Sequence, residues 1–240
     1  MRKEIETLIF SKNRACQLEL LLRSLNIPAV VLYTCDSEFE RGYEKLIGMY
    51  PEVEFILQTD FKIQVMDFVR RGEYVLFLTD DDVMVEDFVE FDGFGDDVVS
   101  MSLALHPRFG NKWEWKEHHG SKWLVRLWGY PMSIGSCIFK SKDILPIIEN
   151  NDVPNPNHLE RILNANIPDK PFMMCADAMK IVNNAANQVQ TEFHCNVSGV
   201  TAEELEELFL NGGRISLEDI KEKAKVAKSY RLVTEYKYEN

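Results

Sequence analysis

The sequence has no surplus of positive charge: 39 acidic residues stand against 27 basic ones, a formal net charge of -12. Nucleic acid is therefore not an expected partner, because binding it rests on phosphates being neutralised by lysine and arginine. There is no CxxC spacing either. The five cysteines, Cys16, Cys35, Cys137, Cys175 and Cys195, are scattered and odd in number, which argues against a paired disulfide framework and points to a reducing, cytoplasmic setting. No apolar stretch approaches the ~18 residues of a transmembrane helix. The opening MRKEIETLIFSKNR holds only a short apolar run between charges, too short for the core of a signal peptide. Internal repeats, low-complexity tracts and linkers are also lacking, so residues 1–240 are read as one domain, a comfortable length for a single α/β core and a cramped one for two.

What is present has the composition of an ordinary globular protein, 45% apolar and 28% charged, enough to bury a core. In the first hundred residues short apolar runs alternate with helical stripes, the rhythm of βα units around a mostly parallel sheet flanked by helices. Thr7 to Phe10, Ala29 to Tyr33, Val53 to Leu57 and Tyr74 to Leu78 read as strands; the last is a continuous apolar run, as expected of a strand covered on both faces. Between them Leu18, Leu21, Leu22 and Leu25, then Phe39, Tyr43, Leu46 and Ile47, then Val65, Phe68 and Val69 mark helix faces, the first with Ser11 or Asn13 available as N-cap. After a strand at Val98 to Leu103 a long polar and aromatic stretch runs through Tyr130 and reads as a loop region. A strand at Ser136 to Phe139, a helix at Lys142 to Glu149, helix starts at Asn157, Thr201 and Ser216, and a strand at Tyr230 to Tyr236 complete the pattern.

The apolar run at Tyr74 ends in Asp80-Asp81-Asp82. Adjacent carboxylates at ~4 Å repel by about 1 kcal/mol per pair in water, and by several times that in a partly dry cleft. A divalent cation offsets this directly, since magnesium and manganese take hard oxygen ligands and bridge carboxylates to substrate phosphates. In open α/β sheets the ligand crevice lies beyond the carboxyl ends of the strands, where this triplet falls. In an extended segment Asp80 and Asp82 point one way and Asp81 the other. The same three residues also suit a solvated acidic turn before a helix near Val85. Two further strand ends are polar: Ser11-Lys12-Asn13-Arg14 offers backbone donors, a helix start and cations to a pyrophosphate, and Thr34-Cys35-Asp36-Ser37 offers Asp36 to a base or ribose. Taken singly, Asn13 also reads as a cap, Arg14 as a surface cation and Asp36 as a turn residue.

The series TLIFSKNR, VVLYTCDS and YVLFLTDDD resembles the nucleotide-sugar-binding half of GT-A glycosyltransferases, whose DxD motif ends a central strand. GYPMSIGSCIFKSKDILP, NPNHLERILN and NNAANQVQTEFHCN followed by LEELFLNGGRISLEDI resemble the acceptor half of small bacterial and viral members. The resemblance implies a single GT-A domain with a nucleotide-sugar half over 1–103 and an acceptor-side half over 104–240, with a C-terminal acceptor-side helical region. It implies donor contacts from Phe10, Ser11, Arg14, Asp36, Asp80 and Asp81, and a Mn2+ or Mg2+ ion held by Asp82 with Asp80 and by His194. It implies Glu160 as the base of an inverting transfer, a UDP-sugar as donor and a glycan or small-molecule hydroxyl as acceptor. Two features depart from the pattern: the first strand end reads SKNR without a preceding proline, and no Glu-Asp pair marks the base. Glu160, three residues after Asn157, equally suits the return bond of a capping box. His118-His119 lacks the i, i+4 spacing of a helical metal pair. Trp113, Trp115, Trp123 and Trp128 suit either a sugar platform or a small satellite core. A sugar-nucleotide nucleotidyltransferase, or a binding module without catalysis, remains the alternative reading, although the glycine-rich basic loop of the former is lacking after the first strand.

Overall fold

The computed structural model describes residues 3–88, 91–106, 115–118, 122–126, 130–176, 178–189, 197–233 and 235–239, with backbone alone at 115–118 and 122–126. In chain order the elements begin with β1 (Glu6–Lys12), α1 (Ala15–Ser24), β2 (Val30–Thr34), a 3-10 turn at Ser37–Phe39, α2 (Glu40–Met49), β3 (Glu54–Leu57) and α3 (Phe61–Val69). They continue with β4 (Tyr74–Thr79), β5 (Asp82–Met84), β6 (Val98–Ser102), β7 (Trp115–His118), β8 (Lys122–Arg126) and β9 (Cys137–Lys140). The remainder are α4 (Ser141–Glu149), α5 (Pro156–Ala165), β10 (Phe172–Cys175), β11 (Ile181–Asn184), α6 (Ala202–Leu210), β12 (Arg214–Ile215), α7 (Leu217–Val226), β13 (Arg231–Leu232) and β14 (Tyr238–Glu239). The fold is α/β, a mostly parallel sheet flanked by helices, as the alternation of patterns predicts.

The chain divides into two compact units, one made of Met1–Leu8, Gln58–Leu78 and Phe88–Lys180, the other of Ile9–Leu57, Thr79–Asp87 and Ile181–Asn240. In the first, the strand order is β1-β4-β9-β6-β10-β8-β7. Strands β4, β6, β10 and β7 run one way and β9 and β8 the other. Strand β4 is buried along Tyr74 to Leu78 because both of its faces are covered. Phe77 packs on Phe139 with ring centroids 5.9 Å apart, and Tyr74 makes T-shaped contacts with Phe91 and Phe94. Ile144 and Ile148 of α4 and Leu159 and Leu163 of α5 are fully buried at i, i+4 spacing, the stripe that lets these helices pack together.

In the second unit β3-β2-β1 are adjacent, β2 and β3 in parallel register from Val30–Glu54 to Tyr33–Leu57. Helix α1 turns Leu18, Leu21 and Leu22 inward and packs against α2, α6 and β12. Helices α2 and α6 also pack together, and at Gly42 a Cβ would fall 2.2 Å from Glu206 Oε2, so a larger residue there would make that carboxylate shift. A small sheet, β13-β11-β5, completes the unit.

Several expectations are revised. No helix begins near Val85; Val83 and Met84 are buried in β5, which pairs antiparallel with β11 (Asp82–Asn183 to Met84–Ile181), a partner about a hundred residues away that no local pattern announces. Within the stretch expected as a loop, β7 and β8 form an antiparallel pair, Trp115 opposite Val125 and His118 opposite Lys122; its aromatic and β-branched residues favour strand despite the polar surroundings. Strand β10 has no counterpart among the expected elements. Helix α1 is preceded by Arg14 with no side-chain cap, since Ser11 and Asn13 are engaged elsewhere. Helix α5 is capped by Asn155, whose side chain accepts from His158 N with Pro156 as first residue, so Asn157 lies inside the helix. The tail forms two two-residue strands in place of one running from Tyr230 to Tyr236.

Candidate active site

The acidic triplet does not continue β4 as an extended segment. The chain turns at Asp80 and Asp81 and resumes as a strand at Asp82, so each carboxylate has its own surroundings. Asp80 is 4% exposed and Asp82 2%, whereas the Asp81 side chain is 18% exposed.

Asp80 is locked to the end of β1. Its N–H donates to the Phe10 carbonyl at 3.0 Å, its Oδ2 accepts from Ser11 Oγ at 2.9 Å and Lys12 N at 3.0 Å, and its Oδ1 accepts from Arg14 Nη1 at 2.9 Å. Arg14 N lies 3.3 Å from Tyr43 Oη and Tyr43 Oη 2.6 Å from Ser11 Oγ. With the Ser11 proton given to Asp80, the chain of donors runs from Arg14 N through Tyr43 and Ser11 to the carboxylate. Burial raises the Tyr43 phenol well above its ordinary range, so it stays protonated. Phe10 enters the site through its carbonyl, its side chain being buried in the core.

The Arg14 guanidinium is buried, not offered to solvent. Besides Asp80 it lies 3.4 Å from Asp81 Oδ2, donates from Nε to Asn187 Oδ1 at 2.8 Å and from Nη2 to the Asn187 carbonyl; Gln17 Nε2 supports the same amide oxygen at 3.1 Å. Burial works against its charge, but the Asp80 and Asp81 carboxylates more than offset it and hold the group protonated.

Asp81 and Asp82 converge on Thr79, whose Oγ1 lies 2.8 Å from Asp81 Oδ1 and 3.1 Å from Asp82 Oδ2. Thr79 N donates to Asp82 Oδ2 at 2.9 Å and Asn183 Nδ2 to its Oδ1 at 3.3 Å. Asp82 forms no ion pair among the described residues; burial and the neighbouring Asp81 charge push its carboxyl up to about 7. Burial likewise raises Asp80, with Asp81 adding and Arg14 opposing. Three carboxyl groups face one guanidinium in the triplet, and their donors are hard oxygens. Hard oxygens are the donors that a divalent cation takes together with phosphate and water. Among the described residues no group of three or more His, Cys, Asp or Glu side chains is arranged to hold a metal ion.

Asp36, at the end of β2, is held by Asn13 in a reciprocal pair: Asn13 Nδ2 donates to Asp36 Oδ2 at 2.7 Å and Asp36 N to Asn13 Oδ1 at 2.8 Å. Asn13 has φ of 55, the left-handed region that asparagine tolerates better than most residues. Asn13→Ala is expected to lower stability by roughly 2 kcal/mol, the sum of left-handed strain and two lost hydrogen bonds, and Asn13→Gly by about half of that because glycine carries no strain. Urea unfolding of both variants measures the difference; equal losses would assign the cost to the hydrogen bonds alone.

Glu160 lies in the other unit, one turn into α5. Its Oε1 accepts from Ser133 Oγ at 2.8 Å and from Ile134 N at 3.1 Å. It makes no return bond to a cap; that expectation fails because the helix begins two residues earlier than the sequence suggests. His194 lies outside the described residues, as do Trp113, Trp128 and His119, while Trp115, His118 and Trp123 are placed by backbone on β7 and β8. Tyr43, Asn183 and Asn187 join the site without having been expected there. Tyr43 reads as part of a helix face; the amides, within NNAANQVQ, carry no spacing that points to carboxylates a hundred residues earlier.

No family model matches the sequence. A protein of Dictyostelium discoideum described as the bifunctional glycosyltransferase pgtA is 24% identical over 233 residues, covering 71% of this chain and 30% of that protein. The chain thus spans under a third of that relative. Two crystal structures of S. aureus TarS, one of them of its residues 1–349, are 13% and 14% identical, each matching 72% of this chain and 36% and 60% of theirs, with TM-scores of 0.35 and 0.39.

Proposed function

We propose that the chain is a GT-A glycosyltransferase that moves a sugar from a nucleoside diphosphate sugar, a UDP-sugar, to a hydroxyl of a glycan or small acceptor. The observation that carries the reading is the acidic turn after β4, with two carboxylates, Asp81 and Asp82, leaning on one threonine and a single buried arginine to balance three. The similarity to a glycosyltransferase supports it. Mg2+ or Mn2+ held by Asp82, with Asp81 beside it, would neutralise the charge that develops on the leaving diphosphate.

The chain's own residues divide the rest of the work. Asp80 has both oxygens committed to Arg14, Ser11 and Lys12, so its part is to hold the β1 end rigid. Asp36, with Oδ2 taken by Asn13, offers its other oxygen to the ribose or base. Glu160 takes the proton from the acceptor hydroxyl as the acceptor oxygen bonds the anomeric carbon and the bond from that carbon to the diphosphate oxygen breaks. His194 is kept as a candidate ligand or phosphate contact from the C-terminal part.

Incubation with a panel of UDP-sugars and Mn2+ should release UDP, and Glu160→Gln should slow release at least about 100-fold, the scale of a lost general base. Full-rate release by Glu160→Gln would remove it as the base. Nucleotide binding with no release from any donor or acceptor would favour a binding module.

A further inference from the structure

The loop Met132–Ser136 and helix α5 are joined by a set of side-chain bonds that the proposed chemistry has not used. Asn164 grips Met132 from both sides, its Oδ1 accepting from Met132 N at 3.1 Å and its Nδ2 donating to the Met132 carbonyl at 2.9 Å. That pair alone ties loop to helix. One turn earlier on the same helix, Glu160 adds two more bonds, and both fall on one oxygen: Ser133 Oγ donates to Oε1 at 2.8 Å and Ile134 N donates to the same atom at 3.1 Å. Oε2 takes no partner among the described residues, and Glu160 is half-buried, not sealed.

The Ser133 hydroxyl is itself oriented. It accepts from Gly135 N at 3.2 Å, so its single proton is directed to Glu160. The loop that presents it is held in turn: Ser136 has φ of 71, its N–H donates to the Phe77 carbonyl at 3.0 Å in β4, and its hydroxyl bonds the Gly135 carbonyl. A left-handed serine is tolerated when its surroundings over-determine it. The outcome is a fixed chain, Gly135 N–H to Ser133 Oγ–H to Glu160 Oε1, that leaves the second oxygen of the carboxylate in one direction.

From this geometry we infer that Ser133 is a positioning residue for Glu160, holding Oε1 so that Oε2 is the atom that receives the acceptor's proton. The inference rests on the reading of Glu160 as the base. Ser133 does not touch the reacting atoms; it acts through the carboxylate, as the residue that orients a base does. Ile134 N–H remains when the hydroxyl is lost, so the orientation is loosened, not abolished.

The test uses the full chain, Mn2+ and the UDP-sugar of the panel that gives the fastest UDP release. Ser133→Ala is expected to lower kcat about tenfold with KM for the donor within about twofold, and Ser133→Thr, which keeps the hydroxyl, to recover at least half of the rate. Thermal melting of both variants accompanies the kinetics, because Asn164 should keep the loop in place. An unchanged kcat in Ser133→Ala overturns the inference. A loss that tracks the melting temperature, or that Ser133→Thr does not recover, assigns Ser133 to the clamp and overturns it as well. Glu160→Gln separates the two levels: if that variant is slow and Ser133→Ala is not, the base stands and Ser133 falls; if Glu160→Gln keeps full rate, or no UDP-sugar is turned over, both fall.

Discussion

Arg14→Met is expected to cost the fold about 3–5 kcal/mol, the penalty for removing one partner of a buried, hydrogen-bonded charge pair. The guanidinium is the only cation that ion-pairs with Asp80 or Asp81 among the described residues, and it also satisfies the side chain and carbonyl of Asn187. Without it Asp80 stays inside the protein between Ser11, Lys12 and the Asp81 charge, and must either remain an unpaired buried anion or take up a proton. Arg14→Lys should recover little, because one ammonium cannot reach two carboxylates and the Asn187 groups with the planar geometry of a guanidinium. The second change Asp80→Asn, made in the Arg14→Met background, should return a large part of the loss, since it removes the orphaned charge; the coupling in a double-mutant cycle measures the pair. Urea unfolding of the four proteins decides it. A single-variant loss below about 1 kcal/mol, the level of an exposed ion pair, would mean that Arg14 is solvated in solution.

The second large effect is on binding. Asp82→Asn is expected to weaken manganese-dependent UDP binding by at least about 100-fold, the upper range seen on disturbing even the outer partners of a metal ligand. The amide keeps an oxygen for Thr79 N–H, now at 2.9 Å, so the backbone of the turn should persist. Stability without metal should hold or rise, because Asp82 is buried beside Asp81 with no cation paired to it among the described residues and its ionised form is disfavoured there. A gain in stability with a loss in binding is the signature of a residue kept for a ligand. Calorimetric titration of UDP in the presence and absence of Mn2+ measures the binding; undiminished manganese-dependent binding by the variant would sink the metal assignment.

Much of this is legible in residue patterns. The continuous apolar run of Tyr74 to Leu78 requires a strand covered on both faces, and its carboxyl end places the triplet where open α/β sheets put their ligands. The helix stripes of α1 and α2 and the caps at Thr201 and Ser216 are equally plain, since capping and amphipathicity are local, and both caps bond as expected. What misleads is any step that extends a local pattern past its end. Pleat geometry pairs Asp80 with Asp82, but the chain turns there, and Asp81 and Asp82 share Thr79 instead. Asn157 with Glu160 imitates a capping box, but Asn155 and Pro156 have already opened the helix, which frees Glu160 for Ser133 and Ile134.

The sequence by itself determined the α/β architecture and the position of three carboxylates at a strand end, because periodicity and charge are properties of neighbouring residues. Only the tertiary structure decided how those charges are shared. Arg14 and Asn187, 173 positions apart, meet around Asp80 and Asp81; Asn183 reaches Asp82 across the pairing of β5 with β11. Which carboxylate is ion-paired inside the protein, and which is not, depends on contacts between segments distant in the chain, and burial then sets the strength of each such contact.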